Sequence, residues 1–316
     1  MTISPRPEPR GPDARPWGPQ GGLLRRTIAN GAKLFGAAAP PEPPAAAPPL
    51  PDPDQPPAVP PAPRVRRRDW TDRLWGEGLA FPGGAAEVLR LASLLPLAPE
   101  ATLLLAGGGA RAAASLVSGA RGCFVAAFEP EALATDVAAP PRAPVRKVTT
   151  EPFDAAAPGF RRGYHHHALL LEPFRVGGTP DLLMSAAAQA LRPGGQVVLV
   201  DLVARGSSFA GGDARWLEAE GRAGAPPAED AVPAAMERAG FAIHVVEDAG
   251  PRHRQSVIEG WRALLQALRE QDDRPDPQAA GALVAEAEAW LLRLRLMKEG
   301  RLRLLRWHAS MMRPPG

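Results

Sequence analysis

Leu103-Leu104-Leu105-Ala106-Gly107-Gly108-Gly109-Ala110-Arg111-Ala112 is the stretch that decides the fold. Its opening residues form a short continuous apolar run bounded by glycines, the pattern of a strand buried on both faces of a parallel sheet. The glycines allow a tight turn and a close backbone approach, and the Ala-rich segment Ala110 to Ser118 continues as a helix. A helix that starts on such a turn offers amides with no partner of their own. The turn needs glycine whether or not anything binds there, so function stays open at this point.

The same alternation extends on both sides. Upstream, Gly83 to Leu95 reads as a helix with Val88, Leu89, Leu91 and Leu95 as its apolar stripe. Downstream, strands are predicted at Cys123 to Phe128, Val145 to Thr149, His166 to Leu171, Gln196 to Leu202 and Phe241 to Glu247. Between them fall a short helical piece at Pro130 to Thr135 and helices at Asp181 to Leu191 and Val232 to Ala239. Arg192-Pro193-Gly194-Gly195 reads as a turn, and Gly240 as the glycine that ends a helix. Alternating buried strands and helices imply a parallel, doubly wound sheet. Beyond Arg252 the period is helical throughout, with three helices expected: one around Val257 to Leu268, one at Ala279 to Leu296 and one at Leu302 to Met311.

Residues 1–66 read differently. Ala37 to Pro63 is nearly all Ala, Pro and Asp, and proline removes backbone donors and restricts the residue before it. A disordered leader is expected there. Within it, 22–39 can form a short basic amphipathic helix, interrupted at Asn30-Gly31, which is either a contact for a membrane surface or partner or a weakly helical piece with no dedicated role. The folded part is expected to comprise 67–250, followed by C-terminal helices over 251–316.

Composition narrows the function classes. A net charge of +3 over 316 residues, with arginines spread along the chain, gives no basic stripe for nucleic acid despite a pI of 9.6. The single cysteine, Cys123, excludes an internal disulfide and a Cys-rich zinc site. No apolar run has the length of a membrane span, and the first residues lack the apolar core of a secretory signal, so a cytoplasmic protein is expected.

Two features point to a ligand. The glycine turn lies at the carboxyl end of its strand, where open parallel sheets bind ligands. Glu129 ends the next strand, 20 residues past Gly109, where a carboxylate can accept both ribose hydroxyls of a nucleoside. Ala112, standing where a pyrophosphate motif has its third glycine, disfavours a dinucleotide. The run Tyr164-His165-His166-His167 invites a metal reading. Strand alternation sends only His165 and His167 to one face, and no acidic or cysteine partner lies nearby in sequence. Asp201, at the end of its strand, lines a substrate site or starts a loop.

The order of strand, Gly107-Gly-Gly109 turn, helix, strand ending in Glu129, Asp154 after the third strand, Leu191-Arg-Pro-Gly-Gly195, strand ending in Asp201, and Ala239-Gly-Phe241 resembles the class I methyltransferases that use S-adenosylmethionine. The resemblance covers roughly Arg73 to Val246. It implies an α/β, Rossmann-like, mostly parallel sheet with a C-terminal helical extension. It further implies that Gly107 and Gly109 face the methionine part of the cofactor, Glu129 the ribose and Asp154 the adenine amino group, with Trp75 and Gly76 lying over the cofactor. The methyl acceptor implied is a small molecule or a lipid headgroup. Three positions depart from the pattern. Leu105 replaces the usual acid two places before the first glycine, Arg111 replaces the third glycine, and the histidine run replaces the Asp that starts the fourth strand. These departures leave a second reading, a degenerate methyltransferase domain that binds or regulates; a third is a membrane or complex adaptor in which the 22–39 helix is the working part and the linker a tether.

Overall fold

The computed structural model describes residues 67–130, 147–206, 211–270 and 275–312. The leader with its expected 22–39 helix, and all but the first residue of the helical piece expected at 130–135, lie outside them. Seven strands form one sheet: β1 (Thr102–Gly107), β2 (Phe124–Glu129), β3 (Val148–Pro152), β4 (His165–Leu171), β5 (Leu191–Ala204), β6 (Phe241–Asp248) and β7 (Leu302–Met311). Their spatial order is β3-β2-β1-β4-β5-β7-β6. The first five run parallel, and β7 is antiparallel to both its neighbours.

The helices are α1 (Arg67–Trp75), α2 (Gly84–Ala92), α3 (Ala110–Arg121), α4 (Pro180–Ala190), α5 (Gly211–Glu220), α6 (Ala231–Arg238), α7 (Gly250–Glu270) and α8 (Pro277–Lys298). Alternation along the strands sorts them into two layers. Leu103 and Leu105 face a core made with α1, α2, α3, α7 and α8; Leu104 and Ala106 face a second core made with α4 and α6. Every residue of β1 is buried, which is why its sequence shows no polar alternation. Local chemistry sets the helix starts. Thr179 accepts the Leu182 amide at 3.4 Å with Pro180 in the first turn of α4, and Asp276 accepts the Gln278 and Ala279 amides at 2.8 and 2.9 Å with Pro277 opening α8.

Two of the three expected C-terminal helices are present, but Leu302–Met311 is a strand. It pairs with β5 from Gln196↔Ser310 to Ala204↔Leu302 and fills the gap before β6. Its residues, Leu-Arg-Leu-Leu-Arg-Trp-His-Ala-Ser-Met, mix apolar and polar side chains without strict alternation, so a period of two does not stand out and the helical reading is not excluded by pattern. Gly300, left-handed at φ 71°, ends α8 and reverses the chain into it. The Arg-Pro-Gly-Gly turn is absorbed into β5 as an outward loop: His165 pairs with Leu191, and two residues on, His167 pairs with Gln196. Gly195 is needed there, since a Cβ would stand 2.7 Å from the His166 carbonyl oxygen. The same irregularity breaks the alternation expected for the histidines.

Candidate functional site

Parallel register places the carboxyl ends of the strands in one row. Gly107 is level with Leu171, Leu171 with Val200, and Glu129 with Pro152. The chain leaves β1 toward β2 on one side and meets β4 on the other, so the strand order reverses between β1 and β4, the position where such sheets hold ligands.

At Gly107 a Cβ would lie 1.9 Å from the Leu171 carbonyl oxygen, so only glycine lets β1 and β4 close at this end. Gly109 is left-handed at φ 75°, and its Cβ would meet the Gly78 oxygen and the Ala80 nitrogen at 2.8 and 2.9 Å. The segment following α1 therefore lies directly on the glycine turn. It is shaped by its own bonds: Gly78 N–H donates to Asp72 Oδ1 at 2.8 Å, and Leu79 N–H to the Gly76 carbonyl at 2.9 Å. The ring of Trp75 points elsewhere, packing edge-on against Trp290 at 5.2 Å and over Gly260 in the core between α1, α7 and α8.

Glu129 is buried. Its Oε2 accepts the Arg111 amide at 3.4 Å, and the Arg111 guanidinium stands 3.9 Å away on a side chain that is 45% exposed. Phe153 N–H donates to the Glu129 carbonyl at 2.9 Å, which brings the end of β3 alongside. One residue on, Asp154 is exposed and turns the chain by accepting the Ala156 amide at 2.8 Å. Gly76, Gly107, Gly109, Glu129 and Asp154 thus share one edge of the sheet, and the Trp75 indole is set away from it. Leu105 lies in the apolar core, so no acid is available from that position.

The neighbouring β4–β5 part of the same edge holds a buried ionic cluster that sequence reasoning missed. Glu172 follows β4 with a left-handed backbone, φ 44° and ψ 49°, a strained choice for a residue with a Cβ. Arg293 on α8 binds Glu172 at 2.7 and 3.0 Å and Glu220 at 2.5 and 2.7 Å. Arg222 stands 3.6 Å from each of Glu172, Asp201 and Glu220, and its guanidinium nitrogens make no hydrogen bond among the described residues. Asp201 is fully buried within β5 and accepts the Phe174 and Leu202 amides at 2.8 and 2.7 Å, so the loop-start reading fails.

Charge in this cluster is tuned by competing causes. Burial pushes Glu172 up, but Arg293 and Arg222 overcome it and hold the carboxyl at about 2. Glu220 is lowered against the same burial by Arg293. At Asp201 burial wins over Arg222, and Glu172 adds to it, giving about 7. His253, in contact with Arg293 at 3.4 Å, is driven down to about 4 by burial and then by that guanidinium. The sequence signals are Arg293 interrupting Leu291-Leu-Arg-Leu and the neighbouring Glu220-Gly-Arg222; these two, Glu172 and Asp201 lie too far apart in sequence to form one motif.

The histidine run is split. His165 packs edge-on against Tyr164 and Phe128 with neither ring nitrogen hydrogen-bonded among the described residues, and burial holds it neutral with a pKa of about 4. His166 takes up the Thr102 amide and hydroxyl at 3.0 and 2.9 Å, and His167 accepts the Gln196 amide at 3.3 Å. These contacts lie at the amino end of β4, across the sheet from the glycine turn. Among the described residues, no group of three or more His, Cys, Asp or Glu is placed to hold a metal ion.

A seven-stranded sheet of this order, with an antiparallel strand inserted before its last, is the class I methyltransferase fold. No protein-family model matches the chain, and no curated protein matches it. Among solved structures it is similar to phosphoethanolamine N-methyltransferase 2 of Haemonchus contortus in complex with S-adenosyl-L-methionine, with a TM-score of 0.61 and 18% identity over 79% of this chain and 60% of that one. It is also similar to geranyl diphosphate C-methyltransferase of Streptomyces coelicolor A3(2), with a TM-score of 0.51 and 14% identity over 72% and 80% of the two chains. A third is the [4+2]-cyclase SpnF, with a TM-score of 0.51 and 20% identity over 73% and 81%. The chain spans 60% of the length of the nematode enzyme. At these identities the likeness is one of fold, and the cyclase shows that the fold hosts more than one chemistry.

Proposed function

We propose that this chain binds S-adenosylmethionine at the carboxyl ends of β1 and β2 and transfers its methyl group to a small molecule or a lipid headgroup. The observation that supports the reading is the convergence of the Gly107–Gly109 turn, the Glu129 carboxylate and the exposed Asp154 on one edge at the reversal of strand order. The residues fit the cofactor. The Arg111 amide and guanidinium stand 3.4 and 3.9 Å from Glu129, the long limit of such contacts, and the half-exposed Arg111 side chain can move aside for a ribose. When bound, the cofactor supplies an activated sulfonium methyl, so the protein needs to contribute mainly orientation. Glu129 would accept the ribose hydroxyls, the glycine turn would admit the methionine part, and Asp154 would face the adenine amino group. The segment Gly76 to Ala80 would cover them and exclude water, and the ionic cluster would hold the β4–β5 edge rigid beside the acceptor.

Arg111 and Leu105 favour a second reading. In it the fold persists as a binding or regulatory module, with a cation standing over the ribose carboxylate and an apolar residue in place of an acid. Calorimetric titration with S-adenosylmethionine and S-adenosylhomocysteine separates the two. Saturable binding that Glu129→Ala weakens supports the proposal, and absence of binding at millimolar ligand gives way to the module.

A further inference from the structure

Away from the sheet edge, α7 and α8 lie side by side and leave a groove of about 620 Å3 between them. Its apolar lining includes Ile258, Trp261 and Leu265 from α7 and Trp290, Leu291 and Leu294 from α8. Side chains also project from both helices at seven-residue spacing: Ile258 and Leu265 on α7, Val284 and Leu291 on α8, the last two 66% and 69% exposed. An apolar ridge shared by two adjacent helices is more than the scattered exposed leucines of an ordinary surface. The charged residues lining the groove are Arg262 and Arg269, both cationic. The acids of α7, Glu259 and Glu270, are outside it and hydrogen-bonded to Gln255 and Gln266, and Glu288 of α8 is paired with Arg215.

We infer that this face docks on an anionic lipid surface. Charge selects among the occupants. A second copy of the chain would bring arginines against arginines, and the leader segment 22–39 carries Arg25, Arg26 and Lys33, the same sign again. An anionic bilayer supplies both halves of the complement: phosphates for Arg262 and Arg269, and hydrocarbon for side chains that project rather than nest, with no need for a shaped partner. Docking would be peripheral, because no helix among the described residues is long and apolar enough to cross a membrane. The groove also reaches the proposed site: Trp290 in its wall packs on Trp75, and the residues just after Trp75 lie on the glycine turn.

The test is co-sedimentation of the full chain with vesicles of phosphatidylcholine alone and of phosphatidylcholine mixed with phosphatidylglycerol. Binding to the mixed vesicles is expected, at least 10-fold weaker to the neutral ones. Arg262→Gln with Arg269→Gln should weaken it by about 30-fold, the equivalent of about 2 kcal/mol for two surface arginines. Ile258→Glu with Leu291→Glu should abolish it, both positions being exposed so that the fold tolerates the change. Changing Arg25, Arg26 and Lys33 to Gln should leave it in place. Failure to bind anionic vesicles overturns the inference. So does binding lost only in the leader variant, or concentration-dependent self-association that the Ile258 and Leu291 changes remove. Vesicle binding requires no cofactor, so its outcome is independent of the proposed reaction.

Discussion

Replacing Arg293 by Met tests the ionic cluster directly. The side chain is buried and makes four charge-assisted hydrogen bonds to Glu172 and Glu220, which are themselves buried. Methionine fills similar volume but leaves the two carboxylates with Arg222 at 3.6 Å as their nearest cation, Glu220 still accepting the Trp216 indole N–H at 2.7 Å. Breaking a buried pair by removing one partner costs about 3 to 5 kcal/mol. A ceiling follows from titration: each of the two carboxyls, of ordinary pKa 4.5, can be neutralised at pH 7 for about 3 kcal/mol, at about 1.4 kcal/mol per pH unit. The same neutralisation costs under about 1 kcal/mol at pH 5. Urea denaturation should therefore show Arg293→Met losing about 3 to 5 kcal/mol at pH 7 with an unchanged m-value, and about 2 kcal/mol less than that at pH 5. Adding Glu172→Gln and Glu220→Gln should recover most of the loss. A destabilisation below about 1 kcal/mol at pH 7, or one that does not change with pH, would refute the idea that these charges depend on Arg293.

Glu129→Ala should weaken S-adenosylmethionine binding by about 10-fold to 150-fold, the worth of a charged acceptor, with little change in melting temperature; equal binding by calorimetry would remove Glu129 from the ribose. Arg111→Ala should tighten the same binding by freeing the carboxylate and removing a cation from a site for a cationic ligand, and weaker binding would make Arg111 a cofactor contact instead. Asp201, raised by burial from 3.8 to about 7, takes up a proton in the folded state across that interval. Its contribution to stability is therefore present at low pH and lost as pH rises through 7, and Asp201→Asn should flatten the stability profile between pH 4 and 7. Glu172 acts in the opposite sense: held at about 2, it contributes above pH 4.5, and that contribution disappears as pH falls toward 2, a loss that chemical denaturation should show vanishing in Glu172→Gln.

What could be read from the sequence divides according to how local the determining physics is. The Leu103–Gly109 segment revealed its strand and turn because burial on both faces and left-handed backbone leave marks on adjacent residues. Thr179-Pro180 and Asp276-Pro277 carry helix starts in the same local way. Glu129 was visible through its place at a strand end, and the register confirms that place while showing what the sequence could not, that Arg111 comes back over it. Leu302–Met311 was misread because what makes it a strand is β5 and β6 on either side of it, while its own mixture of apolar residues with Arg303, Arg306, His308 and Ser310 does not alternate cleanly. The ionic cluster was hidden for a stronger reason. Glu172, Asp201, the pair Glu220 and Arg222, and Arg293 come from four separate places in the chain, and each looks like an ordinary surface charge until the sheet edge and α8 remove its water. Only then do three carboxylates and two guanidinium groups have to satisfy one another. That requirement fixes where α8 sits against the edge that the proposed acceptor would approach, so the least legible residues of the chain are the ones that shape this side of the site.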